Sequence, residues 1–369
     1  MAGKRLFTIA EKEFFDHVRS RKFLLIFGIL LVVAIVGMIG GIAEYNKSLD
    51  QYNKHQSAIQ SPLSSYMPVK PSILSVFSSV ATYLVFVGGV LGIAMGFDLV
   101  SKEKESKSLK ILLSHPVYRD EVINGKALGG ILALAGALGV VLFIALATLL
   151  VYGIVPDGNE LVLIAVFAVV SFLLIFSYFA IALFLSTAMD ESGSALIYTI
   201  IIFIVLSVLV PTLSNNTVTE FVIGGQPELP QELLDQMQVT PRNSSENSAV
   251  VFSTKISAQG SSDAWDRFNE RMNTYWEKRQ AMHDTLALLS PTMNYESITS
   301  SITNGISGNT LVMSAGSGMT TNAFSVSRTG DAGIGDKLGK IAANIIALLL
   351  FPSVFFGLAY IRFMRLDVR

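Results

Sequence analysis

The chain has 369 residues, of which 51% are hydrophobic and 15% are charged, and its formal net charge is -1. Soluble domains carry roughly a quarter charged residues, so this composition favours a membrane protein, and the near-neutral charge gives no reason to expect a nucleic-acid partner. The sequence contains no cysteine, which excludes disulfides, thiolate zinc sites and cysteine nucleophiles.

Residues 1–22 are predicted to form a basic amphipathic helix. Phe7, Ala10, Phe14 and Val18 recur at spacings of three and four, which is typical of one helix face. Charged residues fall elsewhere around this helix: Lys4, Glu11, Lys12 and Arg19. A basic helix beside a span can lie in the membrane interface with its aromatic side chains buried. The alternative is a helix solvated in the cytosol.

Six long apolar runs without a charged residue follow along the chain. A membrane span needs roughly 20 such residues, and one Asp or Lys at a helix centre costs roughly 2.5–3.5 kcal/mol. A soluble protein would need six unusually long buried helices instead. We therefore predict an all-α polytopic membrane protein with six transmembrane helices, at 23–43, 72–97, 127–156, 161–189, 195–211 and 341–361.

The basic residues of the short loops predict the orientation. Lysines and arginines concentrate in residues 1–22, in the loop 101–126 and in the C-terminal tail, whereas the loop 156–160 has two acids and no basic residue. The positive-inside rule places both termini and the loop 101–126 in the cytoplasm. Loop 44–71 holds three lysines, which weakens the contrast slightly.

The loop 101–126 is predicted to dock a partner. Its polar beginning has glutamates and lysines at helical spacing. Leu109, Ile111, Leu112 and Leu113 then form an apolar knob, and Pro116 fits the first turn of a second helix. A purely solvated loop needs no such cluster, so an apolar knob rimmed by mixed charge indicates a docking surface.

Residues 212–337, between the fifth and sixth spans, are predicted to form a mixed or helical extracytoplasmic domain. Within it, the segment 265–289 carries apolar residues at spacings of three and four, and Pro291 follows where a helix commonly stops. This stripe either packs on the rest of the outer domain or the membrane mouth, or forms a direct substrate surface.

Two stretches resemble a known family. "SKEKESKSLKILLSHPVYRDEVINGK" resembles the E-x-x-S/G-T/S-L-x-x-L-L-x-x-P-x-x-R-x-x-x-x-x-G-K signature of ABC-2 type transporter permeases, the membrane subunits of many prokaryotic exporters. "IAEKEFFDHVRSRKFLL" resembles the basic, KE-containing elbow helix with which these permeases begin. The resemblance covers about residues 1–211 and 338–369. The outer segment 212–337 is longer than in minimal permeases.

The resemblance implies roles for individual residues. A coupling-helix motif that inserts into a cleft of an ATPase subunit implies an interface set made of Glu103, Glu105, Leu109, Leu112, Leu113, Pro116, Arg119 and Lys126. The implied elbow-helix set is Lys12, Glu13, Phe14 and Arg19. Gly125 matches the glycine before Lys126 in the same signature. Lys107 departs from the pattern, since many members carry glycine there.

The resemblance also implies partners. The sequence has no G-x-x-x-x-G-K-[ST] loop to cradle phosphates, so ATP and Mg²⁺ are expected on a separate ATPase subunit rather than on this chain. The expected assembly is two permeases, the second a copy or a homologue, with two ATPase subunits in the cell membrane among its lipids. This chain is then not itself an enzyme but the permease of an exporter.

The substrate stays open among a lipid, a peptide, a hydrophobic drug and an ion. Candidate residues lining a path are Tyr83, Ser171, Ser177, Tyr178 and Tyr198. Glycines at 37 and 41 and at 88, 92 and 96 form small-residue faces that serve either packing within the chain or a permease–permease seam. A membrane receptor or scaffold that senses a ligand through 212–337 without transport is the alternative function. An intramembrane enzyme ranks last, because paired carboxylates or a Ser/His pair at membrane depth are missing.

Overall fold

The computed structural model describes residues 2–58, 71–108, 118–214, 216–230, 261–303 and 334–366. Within these ranges the chain forms helices, turns and extended connections, and no strand. We label the described helices in chain order as α1 (Ala2–Arg19), α2 (Arg21–Ala58), α3 (Ile73–Glu105), α4 (Arg119–Val151), α5 (Gly158–Ala188), α6 (Ser192–Leu213), α7 (Asn216–Ile223), α8 (Ser261–Leu289), α9 (Pro291–Thr303) and α10 (Ile334–Met364).

Six of these helices are long and apolar enough to cross a membrane, as predicted: α2, α3, α4, α5, α6 and α10. Their alternation along the chain places the start of α2, the ends of α3, α5 and α10, and the starts of α4 and α6 at one end of the bundle. We call this the elbow end, because α1 packs there. The opposite end is called the far end.

The chain divides into two compact units. Unit 1 consists of residues 1–211, 287–311 and 326–369, and unit 2 of residues 212–286 and 312–325. The segment 212–337, predicted as a single outer domain, is therefore shared between both units.

Helix α5 lies at the centre of unit 1 and is buried along most of its length. Glycines on α3 let this central helix approach closely. A Cβ added to Gly92 would lie 2.5 Å from the carbonyl oxygen of Ile175, and one added to Gly96 would lie 2.7 Å from that of Phe179. Gly41 on α2 meets the carbonyl of Val76 in the same way. Both small-residue faces thus serve packing within the chain, and the seam alternative is not needed to explain them.

Helix α3 is irregular in two places. It contains a π-helical segment at Leu84–Gly88, and its regular helix is interrupted after Gly96 before resuming at Ser101. At this interruption the hydroxyl of Ser186 on α5 accepts hydrogen bonds from the backbone N–H groups of Val100 and Ser101, at 2.9 and 3.0 Å. The backbone N–H groups of Val100 and Ser101 at this interruption are therefore hydrogen-bonded inside the bundle.

Helix α9 is the largest departure from the predicted organisation, because it is buried among the spans of unit 1. The hydroxyl of Tyr178 on α5 lies 2.7 Å from that of Thr292 and 2.6 Å from that of Ser207 on α6. The Tyr295 hydroxyl lies 3.1 Å from Ser171 Oγ. A short polar helix is thus held by interhelical hydroxyl contacts, which apolar surroundings favour.

Helix α8, most of which belongs to unit 2, confirms the predicted amphipathic helix, and it ends at Leu289 as expected. Pro291 takes the first position of α9, where a missing N–H is tolerated. The stripe residues from Trp265 to Leu286 are half-buried, whereas most of the intervening positions are exposed.

Candidate functional site

A buried ion-pair cluster at the elbow end joins three helices. Lys126 on α4 is only 3% exposed, and its Nζ lies 2.8 Å from Glu13 Oε1 on α1 and 2.8 Å from Glu103 Oε1 on α3. An isolated buried ammonium would be very costly, and two carboxylates on one ammonium offset that cost. We call Glu13, Lys126 and Glu103 the clamp.

Glycines on α4 allow α1 to come close enough for the clamp to form. A Cβ on Gly125 would lie 2.8 Å from Cγ2 of Ile9, and a Cβ on Gly129 would lie 2.7 Å from the carbonyl oxygen of Ala10. Helices pack this closely only across small residues. The glycine and lysine that end the signature therefore have physical roles. Gly125 allows α1 to approach α4, and Lys126 binds Glu13 of α1.

His17 lies beside the clamp and is not a solvated loop histidine. Its burial lowers the pKa of the imidazole, while the negative charges of Glu13 and Asp98 oppose that shift. Its Nε2 has no hydrogen-bond partner within the residues that the structure describes. The imidazole therefore lies where burial disfavours its charged form.

The end of α3 is also attached to the turn between α5 and α6. Lys104 Nζ donates to the carbonyl oxygens of Thr187 and Met189, at 2.7 and 3.0 Å. Glu105 Oε2 accepts from Ser192 Oγ at 2.7 Å. A cation thus satisfies carbonyls at a helix C-terminus, and an anion binds at a helix N-terminus, as the helix dipoles favour.

Arg119, at the start of α4, reaches the end of the last span. Its Nη1 donates to the carbonyl oxygens of Leu366 and Met364, at 2.7 and 3.3 Å. The two ends of the loop 101–126, which belong to α3 and α4, are thus attached to four further helices, α1, α5, α6 and α10, through Glu103, Lys104, Glu105, Arg119 and Lys126. The predicted knob of Leu109, Ile111, Leu112 and Leu113 lies outside the described residues, and so does Pro116.

Most of the predicted apolar face of the elbow helix packs inward, with Ala10, Phe14 and Val18 against the core, and Phe7 is the exception. Ala10 and Glu13 are buried and Phe14 packs against the core, whereas Phe7 is 66% exposed. Phe7 was predicted to share the apolar face, but α1 is rotated so that it lays its Ala10 side on α4. Lys12 pairs with Asp16 on the outer face at 3.8 Å, and Arg19 lies over the ring of Phe15 at 5.4 Å.

Lys107 occupies the turn after α3 with a φ of 58°. This left-handed conformation is costly for a residue with a Cβ and is readily adopted by glycine. The position of Lys107 therefore suits the glycine that many family members carry there. The turn still forms with lysine at this position.

Replacing Lys107 by glycine is expected to stabilise this turn by about 0.5–1 kcal/mol, because the strain of a positive φ is removed. Hydrogen exchange of the amides 101–108 should slow accordingly. Lys102→Gly is the matched control in the preceding helical turn, where glycine is unfavourable, and exchange should become faster. Equal exchange rates in both variants would contradict the assigned turn.

The predicted path-lining residues separate into two groups. Ser171, Ser177 and Tyr178 are buried between helices, and the Ser177 hydroxyl donates to the carbonyl of Leu173 in its own helix. Tyr83 and Tyr198 are exposed on the outside of the unit, at 41% and 50%. Within one chain these five residues therefore do not converge on a common path.

Sequence reasoning assigned Glu13 and Lys126 to separate motifs and missed their pairing. One signal was available: Lys126 is the last charged residue before a long apolar run, and Glu13 falls between the apolar positions of an amphipathic helix. Opposite charges beside two apolar segments are the pattern from which such a pair could have been suggested. The sequence pattern does not give the rotation of α1 relative to α4, on which the pairing depends.

A family model of ABC-2 family transporter proteins matches residues 7–368 of this chain. The chain belongs to the ABC-2 transporter family. Among curated proteins, it is similar to the "Probable ABC transporter permease protein NosY" of Pseudomonas aeruginosa, with 29% identity over 195 residues. That alignment covers 52% of this chain and 62% of the relative, so the chain spans less than two thirds of the relative's length. As an ABC-2 family member with six apolar helices, it is a multi-pass membrane protein.

Proposed function

We propose that the chain is the transmembrane permease subunit of an ATP-binding cassette exporter. The observation that carries the proposal is the attachment of the signature loop 101–126 to the rest of the bundle. Its flanks contact α1, α5, α6 and α10 through charged and polar side chains. Membership of the ABC-2 family supports the same function.

In this proposal a separate ATPase subunit, which binds ATP and Mg²⁺, docks on the segment 109–117. The assembly contains two permeases and two such subunits. When the ATPases close on ATP, the displaced loop pulls on Glu103 and Lys126 and moves α1 and α4 together. Lys104, Glu105 and Arg119 carry the same displacement to α5, α6 and α10. A loop attached to most of the helices can shift the bundle as a body, which is the motion that an exporter needs to open outward.

The orientation is part of the proposal. Both termini and the elbow end face the cytoplasm, because the basic residues of the short loops concentrate there. The ATPase then meets the loop 101–126 on the side where ATP is present. The far end of unit 1 faces outward.

The docking proposal is tested by the double variant Leu112→Asp with Leu113→Asp. A charge placed in an apolar contact is strongly unfavourable, so the variant should no longer retain a phosphate-binding-loop ATPase in mild-detergent pull-downs from native cells. It should still insert, since neither residue lies in a span. Full retention of the ATPase would contradict the docking role.

A matched control is Phe221→Asp with Val222→Asp on α7, where both side chains are already exposed. This pair introduces the same two charges away from the loop, and association with the ATPase should be unchanged. Recovery of a signalling protein in place of an ATPase would instead favour the receptor function.

A further inference from the structure

A cavity of about 230 Å³ lies at the far end of unit 1, between the first turns of α3 and the helix α9. Its lining residues include Ser78, Thr82, Glu296, Thr299, Ser300 and Thr303. The clamp and the signature loop are at the opposite end of the bundle. The cavity is therefore separate from the proposed docking site.

The hydroxyl groups that line the cavity donate hydrogen bonds within their own helices. Each donates to a carbonyl oxygen of its own helix: Ser78 to Ser75 at 2.7 Å, Thr82 to Ser78 at 3.1 Å, Thr299 to Tyr295 at 2.8 Å, Ser300 to Ser297 at 3.0 Å and Thr303 to Thr299 at 2.8 Å. A hydroxyl has one proton and two lone pairs. In this arrangement the lone pairs of these oxygens remain to accept hydrogen bonds from a guest.

Glu296 adds a negative charge to this acceptor surface. Partial burial raises the pKa of its carboxyl group, and among the described residues that line the cavity it is the charged one. Its residue surface remains exposed, so a guest in the cavity can reach the carboxyl group from solvent. Among the described residues that line it, the cavity thus offers hydroxyl oxygens and one carboxyl group, and none of these residues is a lysine or an arginine.

We infer that this cavity binds a primary ammonium group. Such a group carries one positive charge and three N–H donors, which match the carboxylate of Glu296 and the hydroxyl oxygens around it. The volume is several times the roughly 30 Å³ that one water occupies in the liquid, so it holds a small organic amine rather than only a bare ion. A free amine and the headgroup of an aminolipid share this chemistry.

The test uses the purified full-length chain, without any ATPase, in phosphatidylcholine nanodiscs. Ethanolamine is titrated and its binding is followed by saturation-transfer NMR. Saturable binding is expected for ethanolamine, weaker binding for choline, which lacks N–H donors, and none for ethylene glycol, which lacks the charge. Equal binding of ethanolamine and ethylene glycol would overturn the inference. The result does not depend on transport, so it stands apart from the proposed function.

Two variants locate the binding in the cavity. Glu296→Gln should weaken ethanolamine binding about tenfold or more, because a charge-assisted hydrogen bond is lost. Thr299→Val keeps the shape of the side chain but removes an acceptor, and it should weaken binding by about threefold. Glu277→Gln, an exposed carboxylate on α8, is the matched control and should bind as the parent chain does. Unchanged binding in Glu296→Gln, with the variant eluting as the parent does on gel filtration, would overturn the inference.

A second arm distinguishes the two sources of the amine. Half of the phosphatidylcholine is replaced by phosphatidylethanolamine, and the ethanolamine titration is repeated. Weaker apparent binding of the free probe would assign the cavity to a lipid headgroup, and unchanged binding would assign it to a free amine. Both outcomes retain the ammonium specificity that the first arm measures.

Discussion

Replacing Lys126 by methionine is expected to lower the free energy of unfolding by about 3–5 kcal/mol, the range for removing one partner of a buried ion pair. The substitution leaves the carboxylates of Glu13 and Glu103 close together and largely buried, without the ammonium that binds both at 2.8 Å. Thermal or denaturant unfolding of the purified chain in mild detergent measures the loss. Transport by the proposed permease–ATPase complex should fall with it, since α1 is no longer attached to α3 and α4 through the clamp.

The triple variant Glu13→Gln, Glu103→Gln and Lys126→Met separates charge from packing. It removes the uncompensated carboxylates together with the lysine, so it should recover much of the stability lost by Lys126→Met, as replaced buried ion pairs often do. It should not recover transport, because the link between the three helices is still missing. If Lys126→Met alone were as stable as the parent chain, the clamp would not be buried in the protein.

Replacing Gly129 by alanine is expected to destabilise the packing of α1 on α4 by about 2–3 kcal/mol, as overpacking of a tight contact does. The added Cβ would lie 2.7 Å from the carbonyl oxygen of Ala10 and 3.0 Å from the backbone nitrogen of Phe14. Backbone atoms cannot rotate away as a side chain can, so α1 must move. Limited proteolysis within residues 2–19 should become faster, and the unfolding midpoint should fall.

Gly136→Ala, two turns further along the same helix, provides the matched control. No atom lies within 4 Å of a Cβ built there, and alanine is a better helix former than glycine by about 1 kcal/mol. This variant should be as stable as the parent chain or slightly more stable. Equal behaviour of the two alanine variants would contradict the close approach of α1 to α4.

The spans, the elbow helix and the helix 261–289 could be predicted from the sequence because each is a local pattern. A run such as 161–189 needs no partner to be recognised, since the length and apolarity of the segment alone decide that it is a span. The stop after Leu289 likewise follows from Pro291, whose ring fits the first turn of a helix but not its interior.

The rotation of α1 could not be predicted in the same way. Phe7 and Phe14 both fit an apolar stripe, but α4 presents glycines opposite Ile9 and Ala10, and the small surface of α4 selects which face of α1 is buried. Phe7 is left exposed as a result. Packing against a particular neighbour overrides the average polarity of a face.

The six spans and the family signature of the second loop can be recognised without any tertiary contact, because lipid demands long uncharged helices whatever their arrangement. Tertiary structure alone decided two further features. Glu13 and Lys126 are 113 positions apart, and only the crossing of α1 and α4 brings them together. The polar helix α9 lies among the spans because hydroxyls of Ser171, Tyr178 and Ser207 on neighbouring helices satisfy its own. Contacts across such sequence separations leave no local pattern, so they become visible only when the helices are placed in space.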